Sequence, residues 1–175
     1  ALKKGENELL VRVWDPTTDG YQPRGKQHNN PHGIWYTPVT GIWQTVWLEP
    51  VADCHIESVK IVPNLDSNLF SINAAVTGGN GSEVIEAVIL DKGTEVARAK
   101  GVANAKMELY VAEPKLWSPD SPYLYDVEVT LSRNGKVVDR VESYTAMRKF
   151  SLGKDKEGIV RMMLNNKPVF HFGPL

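Results

Sequence analysis

The chain has 175 residues, 42% of them hydrophobic, and a formal net charge of −1. This composition supports one core, and the near-neutral charge argues against nucleic acid or an anionic membrane surface as a partner. The single cysteine, Cys54, excludes an internal disulfide, and no apolar run reaches the ~18 residues of a membrane span. We therefore expect neither a nucleic-acid partner nor a membrane segment.

The first 50 residues contain two predicted strands separated by a long loop. Alternating apolar residues predict strands over residues 8–14 and 41–49, and Pro50 ends the second. The loop, residues 20–39, is rich in Gly, Pro, Asn and His, and loops of this length inside a domain are commonly functional. Its aromatic rings can stack on sugars while its polar side chains hydrogen-bond hydroxyl groups. The candidate substrate-binding residues are Arg24, His32, Trp35 and Tyr36. The alternative is that the two rings pack beneath the loop as its own small core.

No cofactor or metal pattern emerges from the sequence. His28 and His32 lie four residues apart, but on a loop instead of a helix face, so we expect no metal. The glycine-rich run at residues 78–81 joins two strands and precedes no helix, so it does not predict a phosphate-binding loop. Cys54 and His55 would point to opposite faces of a strand, which argues against a nucleophile and its base.

From residue 51 onwards, short alternating segments recur with turn signals between them. Seven such segments in about a hundred residues predict an all-β, immunoglobulin-like sandwich. In the clearest segment every second residue from Tyr123 to Leu131 is apolar, and it follows a corner formed by Pro119 and Pro122. The predicted strands cover residues 55–62, 69–77, 84–90, 94–100, 107–111, 123–131 and 136–148.

The inward positions of these strands predict the core. We expect a Trp117→Ala change to cost roughly 3 to 5 kcal/mol, through loss of a buried ring. The predicted core residues are Ile61, Phe70, Ile72, Val76, Ile89, Leu109, Trp117, Tyr125, Val127, Val129 and Val141.

After Arg148 the residue pattern changes. Two short strands are predicted over residues 159–164 and 168–172, around the hairpin signal Asn165-Asn166-Lys167. The apolar run of residues 168–175 leads us to expect a core that continues beyond it.

Three motifs, in this order, resemble the front end of glycoside hydrolase family 2, the family of β-galactosidases, β-glucuronidases and β-mannosidases. They are Gly41-Ile42-Trp43-Gln44-Thr45-Val46-Trp47-Leu48, then Leu116-Trp117-Ser118-Pro119-Asp120-Ser121-Pro122-Tyr123-Leu124-Tyr125, then Met147-Arg148-Lys149-Phe150 with Leu164-Asn165-Asn166-Lys167-Pro168-Val169-Phe170. The resemblance implies that residues 1–50 are the C-terminal part of a sugar-binding jelly roll and residues 51–149 an immunoglobulin-like sandwich. Residues 150–175 would be a linker and hairpin leading into a missing (β/α)8 catalytic barrel.

The resemblance implies a non-catalytic role for this chain. In the family, both catalytic glutamates of the retaining mechanism lie in the barrel, so no catalytic residue is expected here and the chain should be inactive alone. The implied partners are a carbohydrate substrate, through the parent enzyme, and the rest of the same polypeptide; a homo-oligomer stays open. Galactosidases and glucuronidases of the family carry a substrate-contacting aspartate six positions before Gly41, where this chain has Trp35. The sugar and its linkage therefore stay open.

Two other hypotheses about function remain. The chain could be a stand-alone immunoglobulin-like module that binds carbohydrate or mediates adhesion, or a sandwich domain of a surface protein without any sugar. The opening run of residues 1–5 has no apolar targeting segment, so the sequence leaves the compartment open between periplasmic or secreted and cytoplasmic.

Overall fold

The computed structural model describes residues 3–173, and the chain divides into two units between Glu49 and Pro50. The first unit forms no strand or helix within residues 3–49. The second unit carries all the regular structure of the described chain. No helix in the described part of the chain is long and apolar enough to cross a membrane.

Ten strands form within residues 50–173, with a single turn of 3-10 helix, Leu65–Ser67, after the first. The strands are β1 (His55–Asn64), β2 (Leu69–Thr77), β3 (Glu83–Asp91), β4 (Thr94–Val102), β5 (Lys106–Tyr110), β6 (Tyr125–Arg133), β7 (Lys136–Thr145), β8 (Phe150–Lys154), β9 (Val160–Leu164) and β10 (Lys167–Pro168).

The first seven strands form two antiparallel sheets, which confirms the predicted immunoglobulin-like sandwich. One sheet has the order β1-β2-β5, and the other has the order β4-β3-β6-β7. Alternate side chains of β2, β3 and β6 point between the sheets, because successive residues of a strand face opposite sides. Phe70, Ile85 and Val127 are examples, and each is almost completely buried.

The turn chemistry explains why neighbouring strands pair. Asn134 and Gly135 join β6 to β7 with φ angles of 51° and 75°, both in the left-handed region. A two-residue loop with two positive φ angles twists in the same sense as the flanking strands, so it fixes their register. Lys92 and Gly93 make the same kind of connection between β3 and β4.

The core differs from the predicted one at the proline corner. Trp117 is only half-buried and lies outside the core cluster, so its assignment to the core was wrong. Its backbone N–H donates to the carbonyl of Met147, and Met147 fills the buried position at this end of the sandwich. Ile61, Val76 and Val141 are partly buried against the core. The other predicted core residues are buried.

The third sheet has the order β10-β9-β8. Sequence patterning missed β8, and it placed a strand over residues 168–172 where the structure has only Lys167–Pro168. Of the apolar run at residues 168–175, Pro174 and Leu175 lie outside the described residues.

The two strands predicted in the first unit do not form. Residues 8–14 and 41–49 run without ladder pairing, and many of their apolar side chains, such as Leu10 and Trp43, are exposed. A strand exists only where its N–H and C=O groups pair with a neighbour, and within residues 3–49 one isolated bridge, Gln27 to Tyr36, is the only such pairing. The assignment of this unit to a jelly roll stays a prediction.

Candidate functional site

The candidate site is the loop of residues 20–39, whose backbone folds back on itself. The N–H of Tyr36 donates to the carbonyl of Lys26 at 2.8 Å, and the N–H of His28 donates to the carbonyl of Tyr36 at 3.1 Å. A turn closes the loop where the N–H of Trp35 donates to the carbonyl of His32 at 3.0 Å. These bonds bring residues 24–28 alongside residues 32–36.

Three of the four predicted binding residues come together in this loop. The guanidinium of Arg24 lies 5.7 Å from the centre of the Trp35 ring. The His28 ring lies 5.5 Å from Trp35 and 6.0 Å from His32, centre to centre. His28 therefore links His32 to Trp35, a role that the sequence analysis missed because it considered the two histidines only as metal ligands.

Tyr36 does not join this cluster. Its side chain is 64% exposed, whereas Trp35 is half-buried beneath Arg24 and His28. For Trp35 the structure therefore favours packing within the loop, and for Tyr36 it leaves a ring open to solvent.

The two histidines offer complementary hydrogen-bonding atoms. The Nδ1 of His28 accepts from the N–H of Asn30 at 3.1 Å, so a neutral His28 carries its proton on Nε2 and can donate from it. The Nδ1 of His32 lies 2.8 Å from the carbonyl of Asn30 and donates to it, so a neutral His32 presents Nε2 as an acceptor. A donor and an acceptor on neighbouring rings suit hydroxyl groups, which both donate and accept.

A groove of about 490 Å³ lies next to this loop. This volume lies within the roughly 300–1,000 Å³ of small-molecule sites. Its lining includes Gln27, whose side-chain oxygen accepts from the N–H of Val39 at 3.2 Å, and the exposed Trp43. Its walls are Gln27, Val39, Thr40, Gly41, Ile42 and Trp43.

No group of three His, Cys, Asp or Glu side chains among residues 3–173 is placed to hold a metal ion. The two loop histidines both use Nδ1 on the backbone of Asn30.

The carboxylates of the second unit form structural ion pairs. Glu83 is buried; its oxygens accept from the N–H of Asn80 and from Arg133 at 2.7 Å, and these bonds lower its pKa from 4.5 to about 2. The Lys115 ammonium, 2.6 Å from Asp91, likewise lowers the pKa of that carboxyl. A glycosidase's general acid needs a raised pKa, so this is the opposite of what such chemistry requires.

The chain matches known proteins over its sandwich. The model of the family described as "Glycosyl hydrolases family 2" matches residues 54–148. The beta-galactosidase BoGH2A of Bacteroides ovatus is 32% identical over 143 residues, covering 72% of this chain and 17% of that protein. The beta-galactosidase of Thermoanaerobacter pseudethanolicus is 27% identical over 178 residues, covering 94% of this chain and 22% of that protein.

A solved structure shares the fold. The glycosyl hydrolase family 2 member from Bacteroides cellulosilyticus superposes with a TM-score of 0.56 at 23% identity, covering 67% of this chain and 18% of that protein. The chain thus spans about a fifth of the length of these proteins, from 17% to 22%.

Proposed function

The chain belongs to glycosyl hydrolase family 2, and we propose that it is the non-catalytic front part of a glycosidase that hydrolyses O-glycosidic bonds. The observation that carries this proposal is where the family match lies. Residues 54–148 coincide with strands β1 to β7, so the shared sequence is the sandwich itself. The two relatives described above are named beta-galactosidases, and both are several times longer than this chain.

Within that enzyme, the sandwich acts as a scaffold between a sugar-binding domain and a catalytic domain. Retaining glycosidases use two carboxyl groups about 5 to 5.5 Å apart, one of which has a raised pKa. In the described part of this chain every carboxyl pKa that departs clearly from its ordinary value is lowered. Those carboxyl groups are Asp66, Glu83, Asp91, Glu95 and Asp155. Groups held ionised in this way stabilise the fold and do not donate protons to a leaving group.

The loop of residues 20–39 contributes to carbohydrate binding in the same enzyme. Arg24, His28 and His32 supply hydrogen-bonding groups around Trp35, and Tyr36 offers an exposed ring for stacking. The partial burial of the Trp35 ring within the loop supports this division of roles.

An activity assay tests the catalytic part of the proposal. The 175-residue chain and the polypeptide encoded by its complete reading frame would be assayed on chromogenic aryl β-galactoside, β-glucuronide and β-mannoside. We expect turnover only from the complete polypeptide. Hydrolysis by the 175-residue chain at an enzymatic rate would place the chemistry in residues assigned here to structure. A complete polypeptide inert on all three substrates would contradict the glycosidase assignment.

A matched pair of variants tests the loop. In the complete polypeptide, Tyr36→Ala should raise KM for the preferred substrate by about tenfold, which corresponds to about 1.4 kcal/mol of lost binding energy. Tyr21→Ala removes a fully solvent-exposed tyrosine of the same loop and should leave KM unchanged. Equal effects from both variants, or none from either, would contradict a specific role for Tyr36.

A further inference from the structure

A groove of about 690 Å³ lies on the third sheet. This volume is within the roughly 300–1,000 Å³ of small-molecule sites. Met163 and Pro168, which pair in the ladder between β9 and β10, supply its apolar part. Arg161, also in the lining, lies opposite Gly153 in the ladder between β8 and β9. Because cross-strand partners share a face, the missing side chain of Gly153 leaves room beside Arg161.

Asp155 fixes the position of the Arg161 guanidinium in this groove. The Asp155 side chain is only 9% exposed, and its Oδ2 accepts from the Nε of Arg161 at 2.8 Å. Its Oδ1 accepts from the backbone N–H groups of Ile159 at 2.8 Å and Glu157 at 3.0 Å. The bond from Arg161, followed by those from the two backbone groups, lowers the pKa of the Asp155 carboxyl. The carboxylate therefore stays ionised and continues to hold Arg161.

The outer edge of the Arg161 guanidinium is available to a ligand. Its bond to Asp155 uses Nε, and neither terminal nitrogen donates to any residue within the described range 3–173. Two parallel N–H groups of a guanidinium match two oxygens of a carboxylate, sulfate or phosphate group. A side chain that is already oriented also loses less conformational entropy when a ligand binds.

Three lysines add positive charge to the same groove. Lys154, Lys156 and Lys167 are exposed lining residues, and none of them forms an ion pair with a carboxylate among residues 3–173. The whole lining contains four basic and two acidic residues, a formal charge of +2 in a chain of net charge −1. Positive charge concentrated in a concave surface raises the local concentration of anions.

We propose that this groove binds an oxyanion group, namely a carboxylate, sulfate or phosphate, of a small molecule. Arg161 binds two of its oxygens, and the lysines supply the surrounding positive charge. The groove lies in the second unit, whereas the candidate sugar-binding loop of residues 20–39 lies in the first. The site does not depend on the proposed glycosidase activity. Its oxyanion has two chemical sources, an acidic sugar or a phosphate, and separate probes distinguish them.

Nuclear magnetic resonance titration of the isotope-labelled 175-residue chain tests this site. The probes are inorganic phosphate, sodium glucuronate and, as the neutral control, glucose. We expect the Arg161 Nε–H signal and backbone amides within residues 154–167 to shift and reach saturation at millimolar phosphate or glucuronate. Glucose should leave them unchanged at the same concentrations. Tighter binding of glucuronate would assign the site to acidic sugars, and tighter binding of phosphate would assign it to phosphate groups.

Two variants separate a built site from simple charge attraction. Arg161→Lys keeps the charge but loses the planar fork, so the Kd of the preferred anion should rise by about tenfold. Asp155→Asn removes a negative charge, which by itself would favour the anion. We expect its Kd to rise by about fivefold instead, because Arg161 loses its fixed orientation. As the control, Lys136→Gln removes an exposed cation at the start of β7 and should leave the Kd unchanged.

Three results would overturn the proposal. One is the absence of saturable shifts with both phosphate and glucuronate, and another is an equal Kd for Arg161→Lys and the unchanged chain. The third is tighter anion binding by Asp155→Asn, which would show that net charge attracts the anion without an oriented Arg161. A complete polypeptide that hydrolyses no aryl glycoside would refute the proposed function and leave the oxyanion groove standing.

Discussion

Replacing Tyr125 with phenylalanine should lower the free energy of unfolding of the sandwich by about 1–2 kcal/mol. Tyr125 is 2% exposed, and its hydroxyl accepts a hydrogen bond from the backbone N–H of Lys115 at 2.7 Å. The Tyr125→Phe variant keeps the ring and its edge contact with Phe70, 5.9 Å between centres, but leaves that N–H without its acceptor. A buried donor without a partner costs about 1–3 kcal/mol, and this one is only partly buried, so we expect the lower half of that range.

Urea unfolding of the 175-residue chain, followed by far-UV circular dichroism, measures this loss. All strands of the described chain lie in the second unit, so the β signal reports on that unit. With a slope of about 2 kcal/mol per molar urea, the midpoint should fall by about 0.5–1 M while the slope stays unchanged.

Tyr110→Phe is the matched control. Tyr110 lies on β5 with an exposed side chain, and its hydroxyl forms no hydrogen bond to any residue within the described range 3–173. Its replacement should change the free energy of unfolding by less than about 0.5 kcal/mol. If Tyr125→Phe were no more destabilising than this control, the hydrogen bond to Lys115 would not stabilise the corner.

Further predictions concern acid stability, the contact of the third sheet with the sandwich through Asn165, and the proline corner. The pKa of Glu83 is lowered from 4.5 to about 2, so its contribution to stability is complete above pH 4.5 and is lost as the pH falls towards 2. In a Glu83→Gln variant, Tm should therefore decrease less between pH 4.5 and 2 than in the unchanged chain. An equal decrease of Tm in both proteins would contradict this prediction. Asn165→Ala should speed hydrogen exchange at the Lys149 N–H several-fold, because the side-chain oxygen that accepts from this N–H is lost. Unchanged exchange would mean that the Asn165 side chain does not protect this part of the backbone. Trp117→Ala should lower the free energy of unfolding by clearly less than Phe70→Ala, for which we expect about 3–5 kcal/mol. Equal losses of stability in urea unfolding would show that the Trp117 ring contributes as much as a core residue.

The candidate site was predictable in composition but not in arrangement. Residue chemistry singled out Arg24, His32, Trp35 and Tyr36, and the structure brings the first three together. The place of His28 between His32 and Trp35 depends on the backbone hydrogen bonds that Tyr36 forms with residues 26 and 28. No local sequence pattern predicts this pairing.

The sequence by itself determined the sandwich. Local patterns predict the strands and hairpins of residues 55–145. Apolar and polar residues alternate with a period of two along a strand, and a turn such as Asn134-Gly135 contains residues that adopt positive φ angles. These signals act over fewer than about ten residues, the range over which a strand or turn is formed.

Only the tertiary structure decided the features that depend on distant partners. The predicted strands over residues 8–14 and 41–49 did not form, since a suitable alternation is not enough without a paired neighbour. Trp117 stays half-buried, whereas Met147, which is thirty positions along the chain and accepts a hydrogen bond from the Trp117 backbone, is fully buried. Asn165 donates to the carbonyl of Trp117, 48 positions away, and so ties the third sheet to the proline corner. Such contacts depend on how separate segments meet in space, and a local pattern carries no information about that meeting.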